Sequence, residues 1–310
     1  MNSKYLISTY VKAEAHRLGF ALCGMAPATP VEAGVAASYR RWLDEGGQAG
    51  MHYLENHFAK RMDPCLLVPG TRSVVSVAMN YRPSRVAPGI AWYAQGHDYH
   101  DLMRQRLTAL LEAVGGHGRC FVDTAPVPER YWAWRCGLGW IGHHGQLVVP
   151  GQGSAFFLGE LFLEEECDAY DTPMADHCGT CTRCLDACPT GAIGGLFRAE
   201  RCLSYLTIEH RGELPSWAGD KMGEMFYGCD RCLRACPHLH ALPASDPLLQ
   251  PSEALLHMTP GDWQQLTVTQ YQALFRGSAV KRAKYEGLVR NIRHAFPPSA
   301  SSQAKDAPSP

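Results

Sequence analysis

Hydrophobic positions recur with two different periods along the first 165 residues of the chain. Apolar residues on one face of the segment 4–19 return every three to four positions, which predicts an amphipathic helix. The segment 72–80 is short and rich in β-branched residues, as a buried strand should be. A longer helix is predicted over 98–114, because an Asp precedes its apolar positions and two glycines follow them. Further strands are predicted at 120–122, 146–149 and 155–162, and a further helix at 129–136.

The alternation of strands and helices over residues 1–165 predicts an α/β or α+β domain, and the fold class we expect is α+β with an α/β-like N-terminal domain. The segment 160–176 contains several acidic residues and no basic one, and we interpret it as a solvated connection. Helical patterns return at 251–258 and 277–296, and the end of the chain is rich in Pro, Ser and Ala. The predicted division is a catalytic domain at 1–165, a second domain at 166–240, a helical region at 241–296 and a disordered tail at 297–310.

The composition narrows the class of protein. The 310 residues carry 29 Lys and Arg against 30 Asp and Glu, and 46% of them are hydrophobic. This balance excludes a disordered chain and a protein that is basic throughout. No stretch reaches the roughly 18 apolar residues of a membrane span, and the N-terminus lacks the apolar core of a signal peptide. We therefore expect a cytoplasmic protein without a membrane partner, in a compartment where thiols stay reduced.

Eight of the 13 cysteines are concentrated in one segment, with regular spacing. The run that starts at Cys178 is C-x₂-C-x₂-C-x₃-C-P, the spacing of bacterial ferredoxins. The run that starts at Cys229 is C-x₂-C-x₃-C-P, and Cys202 upstream can supply the missing first thiolate. The spacing therefore predicts two [4Fe–4S] clusters. The other five cysteines are scattered and are interpreted as small buried hydrophobes: Cys23, Cys65, Cys120, Cys136 and Cys167.

The ligands of the two clusters are predicted to be crossed. In two-cluster ferredoxins the cysteine before Pro ligates the other cluster, and this arrangement brings the two clusters close together for electron transfer. The first set is then Cys178, Cys181, Cys184 and Cys236, and the second is Cys188, Cys202, Cys229 and Cys232. Zinc is the alternative, since CxxC pairs also bind Zn²⁺. Zinc sites need neither a third cysteine three residues on nor Cys-Pro after both runs, so this alternative is disfavoured.

A two-cluster electron carrier has no need of some 165 preceding residues, so we expect a second redox centre or a substrate site there. The candidate chemistry is densest in the segment 121–130. Asp123 follows a predicted strand and precedes a Pro-containing turn, a usual place for catalytic groups on open sheets. The alternative is a helix N-cap, and the residues alone favour the cap.

Six blocks of the sequence together resemble the epoxyqueuosine reductase family. They are VDTAPVPER, GLGWIG, GSAFFLGEL, HCGTCTRCLDACPTGAI, RCLSYLTIE and YGCDRCLRACP. The match covers nearly the whole chain, from about residue 18 to 296. The resemblance implies a cobalamin in an N-terminal domain similar to that of reductive dehalogenases, with two [4Fe–4S] clusters beside it. It also implies reduction of epoxyqueuosine to queuosine at the wobble position of tRNA.

The resemblance also assigns roles to individual residues. Asp123 would be the general acid. Two departures from the family pattern are His143, where a Lys is usual, and His238, where a Trp is usual; neither affects a predicted cluster ligand or Asp123. The residues implied to contact cobalamin are Arg61, Asp98, Tyr99, Arg130, Leu147, Pro150, Phe157, Ser204 and Asp230.

A basic segment near the C-terminus predicts contact with RNA. Between Arg276 and His294 there are six Lys or Arg residues and one Glu, an arrangement suited to phosphate contacts. Charge alone is equally compatible with a solvated helix face. The modified base would have to leave the anticodon stack to reach a catalytic pocket. The residues predicted to contact tRNA are Lys281, Arg282, Lys284, Arg290 and Arg293.

The expected partners are a tRNA with a queuosine-type anticodon and an external electron donor, and the protein is expected to be a monomer. One alternative is another cobalamin and iron–sulfur reductase of the dehalogenase type. The missing twin-arginine signal and the basic C-terminal segment argue against it. The other alternative is a two-cluster electron-transfer protein, which would contain iron but no corrin and would have no use for Asp123.

Overall fold

The computed structural model of this chain describes residues 5–240, 243 and 245–297. The tail that is predicted to be disordered lies outside the described residues apart from Pro297. The strands are β1 (Tyr5–Leu6), β2 (Leu22–Pro27), β3 (Ser73–Asn80), β4 (Gly118–Phe121), β5 (Trp140–Ile141), β6 (Leu147–Val148), β7 (Phe156–Leu163) and β8 (Glu166–Cys167).

The helices range from single turns to the sixteen residues of the longest one. Within the described part of the chain, no helix has both the length and the apolar character needed to cross a membrane. The helices are α1 (Ser8–Arg17), α2 (Ala33–Asp44), α3 (Phe58–Met62), α4 (Pro64–Leu67), α5 (Tyr99–Val114), α6 (Glu129–Arg135), α7 (Arg183–Asp186), α8 (Leu203–Ile208), α9 (Ala218–Met222), α10 (Arg231–Arg234), α11 (Glu253–Leu256), α12 (Pro260–Gln264), α13 (Val268–Leu274) and α14 (Lys284–Ala295).

A four-stranded sheet with the order β2-β3-β7-β4 forms the centre of the N-terminal region, and every neighbouring pair in it is antiparallel. All eight residues of β3 are buried, so both faces of the sheet must be covered. Val75 and Val77 share one core with residues of α1 and α5. Val74 and Ala78 share the other core with residues of α6. The sheet therefore lies between two helical layers, and β4 forms one of its edges.

Local signals in the sequence predicted the longest helix and the central strand correctly. The carboxylate of Asp98 caps α5 by accepting a hydrogen bond from the His100 N–H at 3.1 Å. The helix ends at Gly115, whose φ of 63° is readily adopted by glycine. The first helix begins at Ser8 and not near residue 4, because Tyr5 and Leu6 pair with β8 instead.

The C-terminal helices share a core with an N-terminal loop. Trp263, Phe275 and Leu288 pack in one cluster with Ile90 and Phe226. The helix predicted over 277–296 is divided at Lys284, where φ is 59°, into a 3₁₀ turn and α14.

The acidic segment is attached to the N-terminal region, so its interpretation as a solvated connection is wrong. Glu160 lies within β7 and is fully buried. The carboxylate of Asp168 accepts a hydrogen bond from the backbone N–H of Ser8 at 2.7 Å. Asp171 pairs with Lys12 at 2.6 Å and also binds a backbone N–H of β2. These acidic groups fasten α1 and β2 to the chain that leads to the cysteines.

Candidate active site

Asp123 lies two residues beyond the end of β4, in the left-handed backbone region with φ of 53°. This region is uncommon for residues other than glycine, and Asp is among the few that occupy it. The turn directs the carboxylate towards the start of α5, where Oδ2 accepts a hydrogen bond from the Tyr99 hydroxyl at 2.8 Å. The N-cap of α6 is Pro128, so the interpretation of Asp123 as a helix cap is wrong. The Asp123 side chain is 58% exposed, so a substrate can reach it.

His100 connects Asp123 to a second carboxylate. Its Nε2 lies 3.2 Å from Oδ2 of Asp123, and its Nδ1 lies 2.6 Å from Oδ1 of Asp98. The Tyr99 ring stacks on the imidazole at 4.1 Å and on the Phe157 ring at 4.1 Å, with an interplanar angle of 5° to Phe157. The rings and both carboxylates therefore fix the orientation of His100. Sequence reasoning did not assign His100 a role, although it follows the predicted residues Asp98 and Tyr99 directly.

The pair of Asp123 and His100 holds a proton on the imidazole at neutral pH. Desolvation lowers the pKa of His100, but the hydrogen bonds and charges of Asp123 and Asp98 outweigh this effect and raise the pKa to about 9. The hydrogen bond from His100 lowers the pKa of Asp123 below its usual range, against the opposite effect of desolvation. Asp123 is therefore ionised, and His100 is the charged donor beside it.

Glu129, at the first position of α6, holds the backbone of Asp123. The Asp123 N–H donates to the Glu129 carboxylate. Desolvation raises the pKa of Glu129 to about 8, and the negative charge of Asp123 contributes to this increase. The next residue, Arg130, donates to the carbonyl of Gly145 in the turn between β5 and β6. Sequence reasoning missed Glu129, because only the folded turn brings it to the Asp123 amide.

The thiols of the first predicted cluster set lie near one another. Desolvation raises the pKa of Cys184, and the neighbouring Cys178 and Cys236 raise it further. Desolvation also raises the pKa of Cys236; the backbone N–H of His238 lowers it, and Cys178 and Cys181 raise it. Cys236 thus has neighbours among the cysteines of the other run, and the crossed ligation itself stays a prediction.

In the second set, desolvation raises the pKa of Cys202 and the thiol of Cys188 contributes to this increase. Ligation of that cluster by Cys188 stays a prediction. The pKa of Cys232 is raised to about 12 by desolvation and by the neighbouring Cys229, Cys202 and Cys188. The helices α7 and α10, which follow the first cysteines of the two runs, pack against each other. In the described part of the chain, no three His, Cys, Asp or Glu side chains are arranged to hold a single metal ion.

Comparison with known proteins assigns the chain to a family. A family model described as "Epoxyqueuosine reductase QueG, DUF1730" matches residues 61–124. The epoxyqueuosine reductase of Cellulophaga algicola is 43% identical over 304 residues, which cover 94% of this chain and 99% of that protein. That of Pseudomonas aeruginosa is 38% identical over 301 residues, which cover 91% of this chain and 82% of that protein. The chain belongs to the epoxyqueuosine reductase family.

A solved structure and a second family model agree with this membership. The crystal structure of epoxyqueuosine reductase with an epoxyqueuosine-modified tRNA-Tyr stem loop matches with a TM-score of 0.84 at 28% identity. The match covers 92% of this chain and 79% of that one. A model described as "4Fe-4S double cluster binding domain" matches residues 177–238. The predicted α+β fold class and the predicted pair of [4Fe–4S] clusters are therefore confirmed.

Several residues that the epoxyqueuosine reductase resemblance linked to cobalamin lie around Asp123. Tyr99 and Phe157 form a flat stack beside it, and Arg130 lies on α6. The Arg61 guanidinium lies 5.6 Å from the Tyr39 ring, and its buried Nε has no hydrogen-bond partner within the described residues. An unused buried donor on Arg61 fits a group with polar side arms, as a corrin has.

Other predicted cobalamin contacts have structural roles in this member of the epoxyqueuosine reductase family. The Asp230 carboxylate is buried and accepts a hydrogen bond from the Trp92 N–H at 2.6 Å; desolvation raises its pKa to about 6. Leu147 is buried in the core beneath α6. Contact of these two residues with cobalamin stays a prediction. Pro150 is exposed just beyond β6, and Ser204 is half-buried in α8.

Some of the predicted RNA-contacting residues bind other groups of the protein, and others are exposed. The Arg290 guanidinium donates to carbonyl groups inside the protein, including those of Leu206 at 3.0 Å and His210 at 3.1 Å, so it is removed from the predicted surface. Arg282 makes two 2.8 Å hydrogen bonds to the Glu209 carboxylate. The pKa of Asp123 is lowered first by His100 and also by the charge of Arg282, which therefore lies within electrostatic reach of the site. The remaining exposed cations are Lys281, Lys284 and Arg293.

Proposed function

We propose that this protein reduces the epoxide of epoxyqueuosine in tRNA to the alkene of queuosine, with two [4Fe–4S] clusters and cobalamin as cofactors. The observation that carries the proposal is the exposed Asp123, held by Tyr99 and His100 in a chain whose residues 177–238 match a double [4Fe–4S] cluster domain. Membership of the epoxyqueuosine reductase family supports the reaction. The family structure with a modified tRNA stem loop supports tRNA as the substrate.

The reaction needs protons that the chain itself must deliver. Conversion of an epoxide to an alkene and water consumes two electrons and two protons. When bound, the clusters and cobalamin supply the two electrons from an external donor. Asp123 would donate a proton to the epoxide oxygen as the carbon–oxygen bond breaks, so that no free alkoxide forms. The proton available at neutral pH lies on His100, so each delivery passes from His100 Nε2 through the Asp123 carboxylate to the oxygen.

The neighbours of this pair keep the proton route in place. Tyr99 donates to the same Oδ2 atom that faces His100, which holds the carboxylate in one rotamer. Glu129 holds the backbone of Asp123 in its left-handed conformation. Exposure of Asp123 lets solvent restore the proton after each transfer. The thiolate ligands need a reducing compartment, which supports a cytoplasmic location; the external donor and a monomeric state stay predictions.

Turnover is expected to fall as pH rises through about 9, because His100 then loses the proton that Asp123 delivers. Well below that pH, His100 is fully protonated, so its titration does not change the rate of proton delivery there. In His100→Asn the neutral-pH rate should fall and this alkaline limb should disappear. Single-turnover rates across pH, measured with pre-reduced enzyme, test both expectations.

His117 provides a matched control for that experiment. Its Nδ1 lies 2.6 Å from the Glu165 carboxylate, and its pKa is also raised by that partner, but it lies away from Asp123 on the loop before β4. His117→Asn should leave the pH profile unchanged. A His100→Asn profile that matches the wild type would contradict the proton route.

Binding of tRNA is expected to weaken when exposed cations on the C-terminal surface are removed. The triple variant Lys281→Ala, Lys284→Ala and Arg293→Ala should bind tRNA less tightly, and the salt dependence of log K should decrease by about one for each lost phosphate contact. Fluorescence anisotropy with labelled tRNA at several salt concentrations measures both quantities. Arg17→Ala, on the exposed face of α1 where Arg17 pairs with Glu14, is the control. Equal affinities and slopes would contradict an RNA surface here.

A further inference from the structure

The indole of Trp140 hydrogen bonds to a predicted cluster ligand. Trp140 is the first residue of β5 and is 1% exposed. Its Nε1–H donates to Sγ of Cys178 at 3.3 Å. A buried indole N–H needs an acceptor, and most find an oxygen. Here the acceptor is a sulfur of the first cluster set.

The surroundings of the indole fix the direction of this N–H. The His177 ring packs against it at 5.1 Å and 65°, and the His238 ring packs against it at 4.8 Å and 81°. The backbone of Trp140 pairs with Val148 in the hairpin of β5 and β6. The indole is therefore held by the hairpin on one side and by two rings on the other, with its N–H facing Cys178.

The hairpin makes a second contact with the same cysteine loop. Nδ1 of His143 lies 3.0 Å from the carbonyl oxygen of Cys181. Two points of contact, one to a sulfur and one to a backbone carbonyl, seat the hairpin on the loop that would surround the cluster. The position of the N–H relative to the sulfur thus depends on a supported structure and not on a single rotamer.

A hydrogen bond to a cluster sulfur favours the reduced state. One-electron reduction adds negative charge to the cluster and its thiolates, and an N–H dipole directed at a sulfur stabilises that charge. We propose that Trp140 raises the reduction potential of the cluster held by Cys178, Cys181, Cys184 and Cys236, and thereby sets its potential relative to the other cluster. The inference rests on the proposed function only for the presence of the clusters. Trp140 is a tuning residue that acts through Cys178.

The experiment compares Trp140→Phe with the wild-type holoenzyme by anaerobic potentiometric titration followed by EPR. Phe keeps an apolar ring in the same place and lacks the N–H. The midpoint potential of one cluster should become more negative in Trp140→Phe, while that of the other cluster and the iron content stay unchanged. Unchanged potentials for both clusters in a fully loaded variant would overturn the inference.

Trp134→Phe is the matched control. The indole N–H of Trp134 donates to the carbonyl oxygen of Met174 at 2.9 Å and to no sulfur, so its loss should shift neither potential. If Trp140→Phe loses iron, replacement of Trp140 by benzothienylalanine keeps the bicyclic shape while removing the N–H, and the same shift is expected. Wild-type enzyme with both clusters but without epoxyqueuosine reduction would contradict the proposed function and leave this inference standing; wild-type enzyme without iron would overturn both.

Discussion

Replacement of Asp123 by Asn is expected to reduce turnover by about 10²–10⁴-fold, the usual contribution of a positioned general acid. The carboxamide has no proton that it can pass to an epoxide oxygen. Asn also tolerates the left-handed backbone region, so the turn after β4 should keep its conformation. Its Oδ1 atom can still accept the hydrogen bond from Tyr99. The change therefore removes the proton transfer, together with the charge that helps to raise the pKa of His100, while the turn is kept.

Nucleoside mass spectrometry of epoxyqueuosine-containing tRNA measures the turnover of Asp123→Asn. Iron content and the visible spectrum of bound corrin show whether the cofactors remain, and we expect both to match the wild type. Asp101→Asn serves as control, because Asp101 is an exposed carboxylate in the first turn of α5 that pairs with Arg104 at 3.4 Å. Turnover of Asp123→Asn near the wild-type rate would remove Asp123 from the mechanism.

Replacement of Cys188 by Ala is expected to abolish turnover by removing one whole cluster, and the identity of that cluster tests the crossed arrangement. Cys188 follows Cys184 by one helical turn, but its thiol influences the pKa of Cys202 and Cys232. The variant should lose about four of its eight irons, since each cluster contains four. The irons that remain should be those of the set that includes Cys184 and Cys236.

Anaerobic alkylation followed by peptide mass spectrometry identifies the affected set. In Cys188→Ala the thiols of Cys202, Cys229 and Cys232 should become reactive, while the four thiols of the first set stay protected. Cys120→Ala, at a half-buried thiol on β4, should retain all the iron and the turnover. Exposure of Cys178, Cys181 and Cys184 instead would show that each cluster is held by its own run.

The features that the sequence predicted correctly depend on neighbouring residues. The Asp98 cap, the apolar face of α5 and the glycine at its end act within one helix. The short β-branched run of β3 is buried at all eight positions, although Ser73, Ser76 and Asn80 interrupt its apolar residues. The cysteine spacing is also local chemistry, because the short runs between ligands limit how the chain can surround a cluster.

The features that were missed depend on residues distant in the chain. Arg290 resembles an RNA contact by charge, but it donates to a carbonyl 84 positions earlier. Asp230 accepts from an N–H that is 138 positions away. His100 and Glu129 acquire their roles because the left-handed turn at Asp123 brings its carboxylate to one and its amide to the other. Periodicity and charge contain no information on such pairings. These pairs of residues could be assigned only from the folded structure.

The buried position of Glu160 links folding of this protein to uptake of a proton. Its side chain lies on the central sheet opposite Ser76, whose hydroxyl donates to it at 3.3 Å, and desolvation raises its pKa far above the usual value. The native sheet therefore favours the protonated form of Glu160, whereas the unfolded chain ionises at the usual pKa of a glutamate. Between these two pKa values, each unit of rising pH lowers the free energy of unfolding by about 1.4 kcal/mol through this residue. Through Glu160, mildly acidic pH therefore increases the free energy of unfolding, which is the opposite of the effect of a carboxylate that is ionised in the native state.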